Sequence, residues 1–284
     1  MNDAKNNYVI RLDMPLDLIQ TVRVAHALME TDFLVQIDPA DKVKFTALQK
    51  RFDLRFTVDR CRPVHFLCPC ISHSKPAVAI GGIERPLLFP QSIFDFCRKR
   101  WPEQRENYYS FAGLVTENRI AVLTGWLTRH FAAQSLRLKG DSSLANLPSL
   151  DRKISLESGG RNIEFRSSTR GRNFPIKSWD EEYYLFLLNS NFVLCPDGDY
   201  TWTYRFFESV MCGAIPIVQT KCASYKGYQF HSMTDDISWL KYSRTAAIAN
   251  FELCKKQMSV SPDELNAELE AICRDNPPSG GTSS

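Results

Sequence analysis

Long apolar runs, an excess of either charge, regularly spaced cysteine pairs and internal repeats are all scarce or missing in this 284-residue chain. No stretch approaches the roughly 18 to 20 uninterrupted apolar residues that a membrane-spanning helix needs. The opening residues, Met1 to Asn7, are polar and lack the apolar core of a secretory signal. Thirty-five Lys and Arg against 32 Asp and Glu leave a formal charge of +3, far from the clustered excess of a nucleic-acid binder. Nine cysteines, an odd number without repeated spacing, fit reduced thiols in a reducing compartment better than a disulfide scaffold. The expectation is a cytoplasmic protein, or a soluble form whose anchor has been removed. Its mild positive charge suits an anionic ligand or peripheral contact with an anionic membrane surface.

What is present is an ordinary globular composition, 44% apolar and 24% charged, in a chain long enough for one large domain or two of usual size. The most informative stretch runs from Ser190 to Gln219. It reads as a short apolar strand (Phe192 to Leu194), a Pro/Gly turn ending at Gly198, a helix, a stop at Gly213 and a second apolar strand (Ile215 to Val218). Thr201 or Thr203 caps the helix. Tyr204, Phe207 and Met211, with Phe206 and Val210, give it a broad face to pack on a sheet. A helix amino end reached through a Gly turn after a strand offers free amides and a positive dipole to a phosphate. Arg205 adds a permanently charged donor fork. Glu208, one turn deeper, is placed to accept from both hydroxyls of a ribose. The plainer alternative is that Arg205 and Glu208, three residues apart, form an exposed ion pair.

The pattern Ser-x-Phe-x-Leu-x-Pro-x-Gly, then Arg-x-x-Glu, then Gly-x-Ile-Pro-Ile-Val resembles the donor-binding half of exostosin-like glycosyltransferases. Tyr108 to Gly113 followed by Arg119 resembles the strand, Gly and Arg that open that half, so the likeness covers about Tyr108 to Gln219. It implies an α/β chain of two Rossmann-like domains facing a cleft (GT-B), in a compact version. It also implies metal-independent, inverting transfer of a sugar from a nucleotide-sugar donor to a hydroxyl of a glycan or lipid-linked acceptor, with no cofactor besides the donor. An α1,3-fucosyltransferase-like enzyme is a second reading, weakened because Tyr204-Arg205 stands where that family has Glu-Lys. A non-catalytic nucleotide or anion-binding module is a third. Asp197-Gly-Asp199 imitates a metal-binding Asp-x-Asp, but the Arg-x-x-Glu helix that follows does not belong to that class, and turn chemistry accounts for both aspartates.

The amino-terminal part alternates strand and helix: Tyr8 to Leu12, Leu16 to Met29, Phe33 to Ile37, then a helix capped by Asp38. Ligands of such parallel sheets sit at the carboxyl ends of strands, and Asp13 is at one of them. Asp13 is therefore the first candidate for the general base that deprotonates the acceptor hydroxyl, its alternative being a cap on the next helix. His65 is the second candidate. Cys61, His65, Cys68, Cys70 and His73 lack the spacing of a zinc knuckle. Gly81-Gly82, with Glu84 and Arg85, is a loop able to approach a ligand.

A polar turn at Pro102 to Asn107 divides the chain into an acceptor-side domain (1–105) and a nucleotide-sugar-binding domain (106–275), followed by a disordered tail (276–284). In the second domain Gly113 lets the backbone run close to a ligand. Arg119 lies in the first turn of a helix capped by Thr116, where a cation opposes the dipole unless a phosphate, or the Asp199 carboxylate, faces it. Arg166, with Arg170, Arg172 and Lys177, forms the densest positive patch, either a solvated loop or a funnel for donor phosphates. Ser178 to Glu181 is a capping box, Lys221 to Tyr228 a loop along the donor sugar, and Ile237 to Leu240 a strand. Thr245 to Met258 and Pro262 to Arg274 are the last helices.

Overall fold

The computed structural model describes residues 8–60, 64–114, 116–139, 153–168 and 179–275. Arg170, Arg172, Lys177 and Ser178, and the tail 276–284, lie outside them. The chain is mixed α/β with parallel sheets, and among the described residues it forms two compact units. The first holds the residues up to Asp95, Trp179 and those from Lys256 onward; the second holds Phe96 to Ser168 and Asp180 to Lys255.

The first unit opens with β1 (Val9–Leu12), α1 (Ile19–Met29), β2 (Leu34–Gln36), α2 (Lys42–Gln49), β3 (Phe56–Thr57) and β4 (Val64–Leu67). The strands pair in parallel in the order β3-β2-β1-β4. Alternation along β1 and β2 buries Ile10 and Val35, against which α1 sets Val24, Ala25 and Leu28 and α2 sets Phe45 and Leu48. The turn into α1 is held by Thr21, whose hydroxyl accepts from the Leu18 amide (3.2 Å) and donates to the Leu18 carbonyl (2.9 Å). Asp13 therefore does not cap this helix.

A separate antiparallel sheet follows: β5 (Cys70–Ser72), β6 (Ala77–Ile80) and β7 (Ile83–Arg85). Next comes α3 (Gln91–Lys99), whose first amides donate from Gln91 (2.8 Å) and Ser92 (3.0 Å) to the carboxylate of Glu30. An acid at a helix amino end satisfies free donors and the dipole together.

The second unit is built on β8 (Asn107–Leu114), α4 (Glu117–His130), β9 (Arg137–Lys139), β10 (Lys153–Ser158), β11 (Arg161–Ser168), α5 (Glu181–Leu188), β12 (Ser190–Cys195), α6 (Tyr204–Met211), β13 (Ile215–Val218) and β14 (His231–Ser232). Its seven-stranded sheet runs β14-β13-β12-β8-β11-β10-β9. The five strands from β14 to β11 are parallel, and β10 and β9 close that edge antiparallel. Tyr109 and Phe111 of β8, Phe192 and Leu194 of β12 and Ile215 and Ile217 of β13 share one core with Trp126 and Leu127 of α4. The expected strand at Ile237 to Leu240 is absent; Ile237 and Leu240 instead drop into that core from irregular chain, and the edge strand is β14.

The chain ends in α7 (Arg244–Met258) and α8 (Pro262–Asp275). α8 belongs to the first unit, so the expected division at residue 105/106 needs correcting at both ends. The reason is a set of polar anchors: Arg85 pairs with Glu264 (2.9 Å), the Gly82 amide donates to Glu268 (2.6 Å), and the Asp32 amide donates to Asn266 (2.9 Å). Gly81, at φ 56°, has no room for a Cβ beside Glu268. The Gly81-Gly82 loop and Arg85 thus hold α8 and are not an open ligand loop.

His26, fully buried in α1, is held down to about 3 by burial first and then by the charge of Arg23. The unfolded chain binds a proton near the ordinary 6.5 that the folded chain refuses. Stability is therefore expected to fall on acidification below that value, by up to about 1.4 kcal/mol per pH unit. Glu30, raised above the usual carboxylate range by burial, acts in the opposite sense at the acid end, its contribution being lost as pH rises through its titration. Urea midpoints measured from roughly pH 7.5 to 5.5 should decline, and His26→Gln should flatten the decline. An unchanged slope in that variant refutes the assignment.

Candidate functional site

In the second unit the parallel strands take the order β11-β8-β12-β13-β14, so the chain's direction of travel across the sheet reverses between β8 and β12. In open parallel sheets that reversal leaves a crevice at the carboxyl ends of the two strands, where ligands settle. The residues singled out in the sequence gather here. Gly113 is the last residue but one of β8, Arg119 lies in the first turn of α4, Asp197 and Gly198 follow β12, and Arg205 stands in the first turn of α6.

Thr203 caps α6, its hydroxyl accepting from the Phe206 amide (3.3 Å); Thr201 is two residues too early. The Thr203 amide donates to the Tyr225 hydroxyl (2.9 Å), which itself donates to the Thr201 carbonyl (3.3 Å). Tyr225 stacks on Phe206 at 3.8 Å, so part of the Lys221 to Tyr228 stretch buttresses the cap from beneath. A tyrosine in a loop carries no sequence signal for that task.

Arg205 is 8% exposed. Its Nε donates to the Ala112 carbonyl (2.7 Å) and its guanidinium lies 4.5 Å from the centre of the Phe111 ring. Gly113, at φ 151°, is where a Cβ would collide with Nη2 of Arg205. Nη1 is buried and has no hydrogen-bond partner among the described residues. The exposed ion pair with Glu208 does not exist, because both side chains are buried.

Arg119 comes to the same edge from α4, whose cap is Thr116 as expected. Its Nε donates to the Asp197 carbonyl and its Nη1 to the Leu114 carbonyl, both at 3.0 Å. A Cβ on Gly198 would lie 2.7 Å from its Nη2. Its pKa is lowered to about 10, by burial first and then by the charge of Arg205, against the opposing pull of Asp199 and Asp197. Two guanidinium groups thus share a partly dry edge and repel one another, with main-chain carbonyls as their hydrogen-bond partners. Buried charge is expensive, and charged side chains held at such an edge are candidates for binding an anion.

Glu208 needs correcting. It is 0% exposed and its carboxylate accepts from the Tyr183 hydroxyl of α5 (2.8 Å), so it ties two helices together and offers no open surface to a ribose. Position 208 falls on the buried side of α6 because the whole of that helix from Arg205 to Met211 is buried, which apolar periodicity alone does not reveal. Arg166 sits near the carboxyl end of β11, opposite Ala112, but its Nε pairs with Glu164 (2.8 Å) and its guanidinium lies over the Phe186 ring at 4.2 Å. Asp197 accepts from the Thr220 hydroxyl (2.6 Å) and its amide donates to Gln219 (3.0 Å). Among the described residues no group of three His, Cys, Asp or Glu side chains is arranged to hold a metal.

In the first unit, a pocket of about 450 Å³ opens at the carboxyl edge of β1, β2 and β4. Asp13 is on its wall, exposed, with its amide donating to the Leu67 carbonyl (2.9 Å). His65 is corrected as a base candidate: it is 5% exposed, opposite Ile10 in the sheet and edge-on to Tyr8 at 5.3 Å, and it is not part of the pocket wall.

No family model matches this sequence, and no curated protein matches it. Among the solved structures that match is one of the GtfA/B complex, at 10% identity and a TM-score of 0.34, covering 86% of this chain. This chain spans 45% of the length of that one. A likeness of that size identifies no family. Among the described residues no helix is long and apolar enough to cross a membrane.

Gly113→Ala is expected to push the Arg205 guanidinium off the Ala112 carbonyl and to strain a positive φ, lowering stability by about 1 to 3 kcal/mol. Arg205→Ala in the same background should recover part of the loss, because the clash is gone. Thermal melts of the two single variants and the double variant read the coupling, and strict additivity would rule the contact out.

Proposed function

We propose that this protein is a glycosyltransferase of the GT-B type that moves a sugar from a nucleotide-sugar donor to a hydroxyl of a glycan or lipid-linked acceptor. The observation that carries the reading is the convergence of Arg119 and Arg205, the latter with a buried Nη1 that has no partner among the described residues, beside the capped amino end of α6. A nucleotide sugar's diphosphate is a doubly charged anion of the size that two guanidinium groups and a helix amino end accommodate.

The chemistry follows from charge. Asp13 is the proposed base: it takes the proton of the acceptor hydroxyl, the oxygen bonds to the anomeric carbon, and the bond from that carbon to the diphosphate breaks. The leaving diphosphate departs with the electron pair, and the arginines and helix dipole stabilise that charge as it grows. Glu208 contributes by fixing α6 against α5 rather than by touching the ribose. The inverting, metal-independent course and the peripheral membrane contact belong to the same proposal.

Purified protein should be melted with inorganic pyrophosphate and with uridine, guanosine, adenosine and thymidine diphosphates. At about 100 times its Kd a ligand that binds only the folded chain contributes about 2.7 kcal/mol, several degrees of Tm. Arg205→Lys should lose most of that shift. Asp13→Asn should keep the shift while kcat for transfer drops by about 10²-fold or more. If neither pyrophosphate nor any nucleotide shifts the melt, the reading is wrong. A shift without turnover favours a non-catalytic anion-binding module, the reading that the occupied Glu208 carboxylate also supports.

A further inference from the structure

We infer that Cys68 and Cys70 form a two-thiolate site for a soft monovalent metal ion, and that Cu(I) is the ion that fits it. The inference concerns the first unit alone and does not rest on the transfer reading above. From His65 to Cys70 burial alternates residue by residue: His65, Leu67 and Pro69 are turned in, and Phe66, Cys68 and Cys70 are exposed. A period of two places every second side chain on one face, so both thiols leave the chain on the side that Phe66 occupies. Pro69 keeps them there. A proline disfavours helical backbone in the residue before it and fixes its own φ near about −65°, which holds Cys68 extended and stops the segment from curling. Cys70 opens β5 and is held in register opposite Ala79 of β6. Both thiols are free.

The spacing decides what the pair takes. Two residues of extended chain separate Cα atoms by about 6.5 Å, near the upper limit of a disulfide, and parallel side chains keep the Cβ atoms well beyond the roughly 3.8 Å that a disulfide needs. A direct S–S bond would be strained. A metal ion between the sulfurs adds two bonds of about 2.3 Å each, the zinc–thiolate length, and closes the gap without moving the backbone. Ligand count then selects the ion. Structural zinc takes four ligands, and among the described residues no group of three His, Cys, Asp or Glu side chains is arranged to hold a metal. Cu(I) is soft, selects thiolate and is satisfied by two sulfurs in line. Cu(I) and two S–H groups give a bis-thiolate of net charge −1 and two released protons, with no electron transferred. Other thiols are withdrawn from such chemistry. Cys97, Cys195, Cys212, Cys254 and Cys273 are buried, and burial pushes the thiols of the last four up, away from the thiolate that a metal needs. Cys97 and Cys212 come within 3.9 Å of each other, but in the core. Cys222 is half-buried, and Cys61 lies outside the described residues.

The full chain, reduced and freed of metal, should be titrated with Cu(I) held by bathocuproine disulfonate, whose absorbance reports the copper it loses. One equivalent should pass to the protein, with copper K-edge spectra showing two sulfur neighbours. Cys68→Ser and Cys70→Ser should each weaken binding by about 100-fold or more, because each removes the advantage of a second ligand already in place. Both side chains are exposed, so the copper-free variants should melt as the parent does. Cys61→Ser and Cys222→Ser should bind copper like the parent. Copper retained in Cys68→Ser or Cys70→Ser overturns the inference, as does its loss in Cys61→Ser or Cys222→Ser, which would put the ion on a different set of thiols. Failure of the parent to take copper from the competitor overturns it too. So does quantitative formation of a Cys68–Cys70 disulfide under glutathione disulfide, since that needs sulfurs closer than the extended segment sets them.

Discussion

Arg205 sits where β8 ends, held through Nε by the Ala112 carbonyl and lying beside the Phe111 ring, with Gly113 bared to admit it. Everything else at that edge answers to this placement. The next-to-last residue of β8 must lack a side chain, and Thr203 must cap α6 so that Arg205 falls in its first turn. Arg119 must reach across the same gap over Gly198. A folded chain gains nothing in stability from keeping two like charges this close and this dry.

The second unit's βαβ core was readable because its signals are local. Apolar runs, the Gly at 213 and the Thr at 203 specify strand, helix stop and helix cap within a few residues of themselves. The convergence of Gly113, Arg119, Gly198 and Arg205 was foreseeable from the parallel alternation. The fate of Glu208 was not. A carboxylate on an amphipathic helix reads as solvent-facing until the partner that buries it is known, and Tyr183 is 25 residues away in another helix. His65 failed for the opposite reason: one side of a strand faces the pocket and the other the core, and Phe66 took the pocket side. In the antiparallel edge, β10 does alternate, burying Ile154 and Leu156, but over so short a run that the signal is easily passed over.

Asp13 shows how a sequence alternative is decided by geometry. Both readings, cap and base, place an acid just after β1. The five residues between Asp13 and the first residue of α1, with Thr21 holding the Leu18 turn, remove the first reading. What is left is an exposed carboxylate on the wall of the pocket at the carboxyl edge of a parallel sheet.

The attachment of α8 to the first unit carries a consequence for how the polypeptide is made. The turn at Gly81-Gly82 and the guanidinium of Arg85 wait for Glu268 and Glu264, and the amide of Asp32 waits for Asn266, 234 positions downstream. During synthesis these groups emerge from the ribosome long before their partners do. The strands of the early part are therefore exposed without their closing helix until α8 has been made, a period in which unpaired apolar surface invites association between nascent chains. The second unit's central sheet has all its strands by Ser232, so it is able to assemble first and leave the earlier-made part to be sealed last.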